Sequence, residues 1–118
     1  MNIVLWILQG ILAVLFLFAG FTKVSQPKEK LLGAMSWVED FSPSMVKTIG
    51  TFEILGAIGL IVPWATGIAP VLTPIAALGL VALMIGAATT HLRRKENQPV
   101  VINAGLAIAA LIVAFGRF

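Results

Sequence analysis

The sequence predicts an all-α fold, a transmembrane four-helix bundle with a short interfacial helix between spans one and two. Three observations lead there. Apolar residues, 59% of 118, gather into four long segments, while charged residues are 11% of the chain and mean hydropathy is +1.03. Soluble domains carry roughly 25% charged residues, so this chain has too little polar surface to cover a globule in water. The basic residues, finally, cluster in the first and third gaps between segments. The length accommodates one domain, 1–118, with no separate soluble module.

Span one covers about 3–21, close to the ~20 residues that cross ~30 Å of hydrocarbon. Asn2–Phe21 has no basic n-region, an apolar core longer than a signal peptide's and no small-x-small site before Lys23, so it reads as a retained helix. Lys23 and the turn Ser25-Gln26-Pro27 end it. In Pro27–Asp40, Pro27 and Glu29 suit a first helical turn. Leu31, Leu32, Met35 and Val38 recur at helical spacing, and Trp37 prefers the headgroup zone. The segment reads as an amphipathic helix on the membrane surface, with an ordered loop packed on the bundle as the alternative.

Ser42-Pro43 reads as N-cap and first position of span two, 43–63. The short link Trp64-Ala65-Thr66-Gly67 makes spans two and three antiparallel neighbours. Span three covers 68–90, but Pro70 and Pro74 crowd its start, so its regular part is expected to begin at Pro74 with Thr73 as cap. His91–Gln98 is a basic loop, and Pro99 opens span four, 99–116. Lys23, Lys28, Lys30 and Lys47 flank the first loop and Arg93, Arg94 and Lys95 lie in the third, whereas the opposite side has Arg117. The positive-inside rule then predicts a plasma (inner) membrane protein with both termini outside the cytoplasm. Anionic headgroups are natural partners for these loops. Nucleic acid is not, because topology already accounts for the charge.

The absence of cysteine excludes thiol–disulfide chemistry and Cys-ligated clusters, and one histidine cannot supply a bis-His haem within one chain. No metal cluster, nucleophile–base set or Gly-rich phosphate loop is recognisable. The chain is therefore expected to lack catalytic activity of its own; any redox chemistry would come from a bound cofactor or a partner.

Helices in lipid associate through small residues, so each span can be asked whether its polar residue shares a face with its small ones. Glu53 shares one with Gly50, Gly56 and Ala57. Asn103, Ala107, Ala110 and Ala114 follow at steps of four, three and four. Gln9, Ala13, Phe16, Gly20 and Lys23 align in span one, and Gly79, Ala82, Gly86 and Thr89 or Thr90 in span three. The polar residues thus point into the bundle. By helical rise, Glu53, Asn103, His91, Thr89, Thr90 and Lys23 converge at one cytoplasmic-side depth with Lys47 at the edge, while Gln9 stands apart. An acid at membrane depth costs roughly 2.5–3.5 kcal/mol on insertion scales, so Glu53 marks either a ligand or proton site or a buried structural contact. Lys23 either anchors the helix at the headgroups or pairs with Glu53, His91 either ends a helix or binds a ligand, and Asn103 is first of all interhelical glue.

Leu17-Phe18-Ala19-Gly20-Phe21-Thr22-Lys23, Gly50-Thr51-Phe52-Glu53-Ile54-Leu55-Gly56-Ala57-Ile58-Gly59-Leu60, Leu83-Met84-Ile85-Gly86-Ala87 with His91, and the closing Gly116-Arg117 resemble the DoxX-like family over essentially the whole chain. The resemblance implies a four-helix membrane bundle with Lys23, Glu53 and His91 at the family's polar positions. It also implies membrane subunits of redox complexes, thiosulfate:quinone oxidoreductases among them, and more distantly receptor-assembly chaperones. Many such proteins carry an arginine early in span one, where this chain has Gln9. The expectation that results is a non-catalytic subunit binding a lipophilic molecule, a quinone being one candidate, near Glu53 and His91. The alternative is a chaperone or scaffold that holds other membrane proteins, or further copies of itself, on small-residue faces. A proton-coupled carrier is a third reading, disfavoured by four short helices without a repeat.

Overall fold

The computed structural model describes residues 2–26 and 41–117. The segment expected to form the interfacial helix, Pro27–Asp40, lies outside the described residues. Four helices make up the rest: α1 (Asn2–Ser25), α2 (Pro43–Thr66), α3 (Leu72–Arg93) and α4 (Asn97–Arg117). Each is long and apolar enough to cross a membrane; at 1.5 Å per residue they span roughly 32–36 Å. Large apolar side chains such as Ile3, Phe18, Val101 and Phe115 stand exposed around the outside. In water that surface would be untenable, and in lipid it is the expected exterior. The protein is a multi-pass membrane protein.

The bundle measures 40 × 27 × 17 Å, and α1 packs on α2, α2 on α3, α3 on α4 and α4 back on α1. Its central layer is dry, built from Leu12, Phe16, Leu60, Leu80, Ala110 and Val113. Two contacts set how closely helices approach. A Cβ on Gly20 would stand 2.5 Å from the Gly50 carbonyl oxygen, and one on Gly50 would stand 2.8 Å from that of Gly20. Only glycine on both sides allows this backbone contact between α1 and α2. Farther along, Gly56 lies against Leu80 and Gly59 against Ala76.

The helix ends differ in part from the sequence expectations. Ser42 caps α2 as read, its Oγ accepting from the Met45 N–H at 3.1 Å with Pro43 in the first turn. However, α2 does not stop at Pro63; it continues to Thr66 and ends on Gly67, whose φ of 73° is left-handed. Pro63 has no N–H to offer the carbonyl four residues back, that of Gly59. The Thr73 hydroxyl supplies the missing donor at 2.9 Å. Thr73 is thus a buried bridge from α3 to α2 and not a cap. α3 begins at Leu72, earlier than Pro74, because the carbonyls of Ala69, Pro70 and Val71 take up the N–H groups of Leu72, Thr73 and Ile75. Pro74 then sits in a first turn, where its missing N–H costs nothing.

Candidate functional site

Lys23 and Glu53 lie on inward stripes of α1 and α2, and the Gly20–Gly50 contact brings those stripes together. Lys23 Nζ donates to Glu53 Oε1 at 2.6 Å, with the two side chains 9% and 4% exposed. An isolated charge at this depth would pull water or lipid headgroups inward, and pairing removes that requirement.

Beside this pair is a cavity of about 600 Å³, within the roughly 300–1,000 Å³ usual for ligand pockets. Lys23, Glu53, Thr89, Thr90, His91 and Asn103 all line it. The six residues expected at one depth therefore share one cavity, whereas Lys47 is exposed and takes no part. Apolar side chains complete the walls, among them Leu15, Phe16, Leu83, Met84 and Leu106.

Inside the cavity the six residues are differently committed. Thr89 and Thr90 donate back to the carbonyls of Ile85 and Gly86, as hydroxyls in apolar helices commonly do. His91 Nδ1 lies 2.8 Å from Glu96 Oε1, which fixes the ring across the α3–α4 connection. Asn103 is buried, yet its Nδ2 has no hydrogen-bond partner. Glu53, held by Lys23, does not reach it. A buried amide N–H left unsatisfied costs about 1–3 kcal/mol. Gly86 borders the same cavity, and a Cβ there or on Gly79 would meet nothing within 4 Å. These two glycines do not mediate the close helix contact expected of them, whereas Gly20, Gly50 and Gly56 do. Ala57 and Ala110 are in the core, with Ala107 packed against it.

A second polar cluster lies at the far end of the bundle. Gln9, fully buried, donates from Nε2 to the Leu60 carbonyl at 2.6 Å and accepts at Oε1 from Arg117 Nε at 2.7 Å. Arg117 Nη1 donates to Asn2 Oδ1 at 2.7 Å, and the guanidinium lies 4.5 Å from the Trp64 ring centre and 5.4 Å from that of Trp6. On the sequence Gln9 stands out as a polar residue within span one, whereas Arg117 reads as a terminal charge. The signal was available: Arg117 continues the Asn103, Ala107, Ala110, Ala114 stripe by a further step of three.

Among the described residues no three His, Cys, Asp or Glu side chains converge on one point. What the cavity offers a ligand is apolar contact, hydrogen bonds and charge. The model of the DoxX-like family matches residues 7–115. The chain belongs to the DoxX-like family. The match takes in α2 and α3 whole, most of α1 and α4, and every residue of the cavity-lining set of this DoxX-like protein. No curated protein and no solved structure shows significant similarity to it.

Proposed function

We propose that this DoxX-like protein is a non-catalytic membrane subunit that holds a lipophilic molecule in the cavity beside Lys23, Glu53 and His91. The observation that carries this reading is Asn103, whose buried Nδ2 lacks a partner on the wall of a cavity that polar and apolar side chains line together. A ligand oxygen would satisfy that donor, and an apolar tail would cover the Leu15, Phe16 and Leu106 side of the walls. A quinone has both parts, a carbonyl oxygen for the amide and an isoprenoid tail for the walls, and so fits the donor set. In this reading the Lys23 ammonium holds the Glu53 carboxyl in place, and His91, held at Nδ1 by Glu96, presents its other ring nitrogen to the ligand. The distribution of lysine and arginine supports an orientation with the cavity on the cytoplasmic side of the plasma membrane and both termini outside.

The test is mass spectrometry of the small molecules retained by detergent-purified protein. Wild type is expected to retain a lipophilic compound that Glu53→Gln and Asn103→Leu lose. Asn103→Leu also separates binding from folding. It removes an unsatisfied donor, so the ligand-free protein should be at least as stable as wild type in thermal unfolding. Bulk phospholipid alone in all three samples would overturn the reading.

A further inference from the structure

Among the described residues, the charges lining the cavity do not cancel. Glu53 is the one carboxylate on its walls among the described residues, and Lys23 already holds it. His91 is held by Glu96. Arg93, the last residue of α3, lines the same cavity and is exposed, with no ion pair among the described residues. The two open valences, the Arg93 guanidinium and the Asn103 amide, are both donors. What they require is oxygen acceptors, and the guanidinium favours acceptors that carry negative charge.

Position adds a direction. Met84 and Leu83 precede Arg93 by nine and ten residues, roughly 13–15 Å along α3 at 1.5 Å per residue. The charged end of the cavity is therefore at the helix terminus, where headgroups lie, and its apolar end is toward the middle of the bundle. A neutral lipophile would use the apolar end and leave Arg93 idle.

We infer that the ligand is an anionic amphiphile, an acyl or prenyl tail with an ionised carboxylate or phosphate head, bound tail inward with the head at Arg93. The inference rests on the proposed lipophile-binding function and narrows it from lipophilic molecules in general to those with a negative head. The head chemistry is shared by free fatty acids and by anionic lipids of the surrounding leaflet.

The experiment uses the full chain in phosphatidylcholine nanodiscs. Three probes carry the same photoreactive diazirine in the tail: palmitic acid at alkaline pH, the matching fatty alcohol, and a two-chain phosphatidic acid. Crosslinked residues are mapped by peptide mass spectrometry. The expected result is labelling of Leu83, Met84 or Leu106 by an anionic probe, with the alcohol lower by about tenfold, the scale of one charge-assisted contact. Arg93→Gln should bring the anionic probe down to the level of the alcohol, while Arg93→Lys retains most of the labelling. Labelling by phosphatidic acid assigns the head to the bilayer's own lipids, and labelling by palmitic acid alone assigns it to a free single-chain molecule. Equal cavity labelling by acid and alcohol, unmoved by Arg93→Gln, overturns the inference and leaves lipophile binding standing. No cavity labelling by any probe defeats both. Arg93 is exposed, so an unchanged melting temperature in Arg93→Gln verifies that the variant reports binding and not folding.

Discussion

Removing one partner of the Lys23–Glu53 pair leaves the other charge buried and alone. Lys23→Met is therefore expected to destabilise the protein by roughly 3–5 kcal/mol. Replacing both partners in Lys23→Met/Glu53→Leu removes the charges together, and most of the lost stability should return. Thermal unfolding of the two variants in detergent decides the point: a double variant as unstable as the single one would mean that the pair contributes something other than mutual compensation. The Arg117 cluster shows a different solution to the same problem. Among the described residues its cation has no carboxylate partner, and the Gln9 and Asn2 oxygens together with the faces of Trp6 and Trp64 surround it instead. Lys23, by contrast, lines the cavity of about 600 Å³, which is why the candidate site is there.

Between helices, the α1–α2 seam is the contact on which the site depends. Gly20 and Gly50 let the two backbones meet, and Lys23 and Glu53 each lie one turn beyond them on the same stripe. A methyl group at either glycine must displace backbone, which has no rotamer by which to yield. Gly20→Ala and Gly50→Ala should each cost about 1–3 kcal/mol and weaken retention of any ligand as the ion pair is pulled apart. Gly79→Ala and Gly86→Ala meet open space and should change stability by no more than about 0.5–1 kcal/mol, with a gain from helix propensity expected. Melting temperatures of the four variants test this directly; similar losses at all four positions would mean that the seam is not special. A comparable dependence holds between α2 and α3, where the Thr73 hydroxyl supplies the donor that Pro63 withholds from Gly59.

At the scale of the molecule, the exposed apolar belt and the four helix lengths require a bilayer, and the distribution of lysine and arginine supplies the orientation argument. The chain has no cysteine, so single cysteines can be introduced without background labelling. With both termini outside, Ala65→Cys in the exposed last turn of α2 should react with a membrane-impermeant maleimide on intact cells, and Gln98→Cys should react only after permeabilisation. The reverse pattern would place the cavity on the outer side and remove the basis for a cytoplasmic-leaflet ligand.

By itself the sequence determined the bilayer as solvent, the number of spans, their approximate limits and the face that α1, α2 and α4 turn inward, whereas α3 buries Thr73, Ala77, Leu80 and Met84 and leaves Gly79, Ala82 and Gly86 exposed. What it determined follows from hydropathy, proline and capping residues, and the 3.6-residue period, all of them local along the chain. It also brought Lys23, Glu53, Thr89, Thr90, His91 and Asn103 to one depth, because depth is counted from the helix ends. Only the tertiary structure decided which of them bond to one another. Lys23 is held by Glu53, His91 is held by Glu96, and Asn103, read as interhelical glue, is left with an unsatisfied donor in a cavity. The same holds for Thr73, a cap by position and a bridge in fact, and for Gly79 and Gly86, which lie on a small-residue stripe yet touch no neighbouring helix at the Cβ position. A stripe specifies direction to within a helical turn. A hydrogen bond requires two atoms within about 3 Å, and that depends on how far apart the backbones stand, which is set where Gly20 meets Gly50 and not within any one helix.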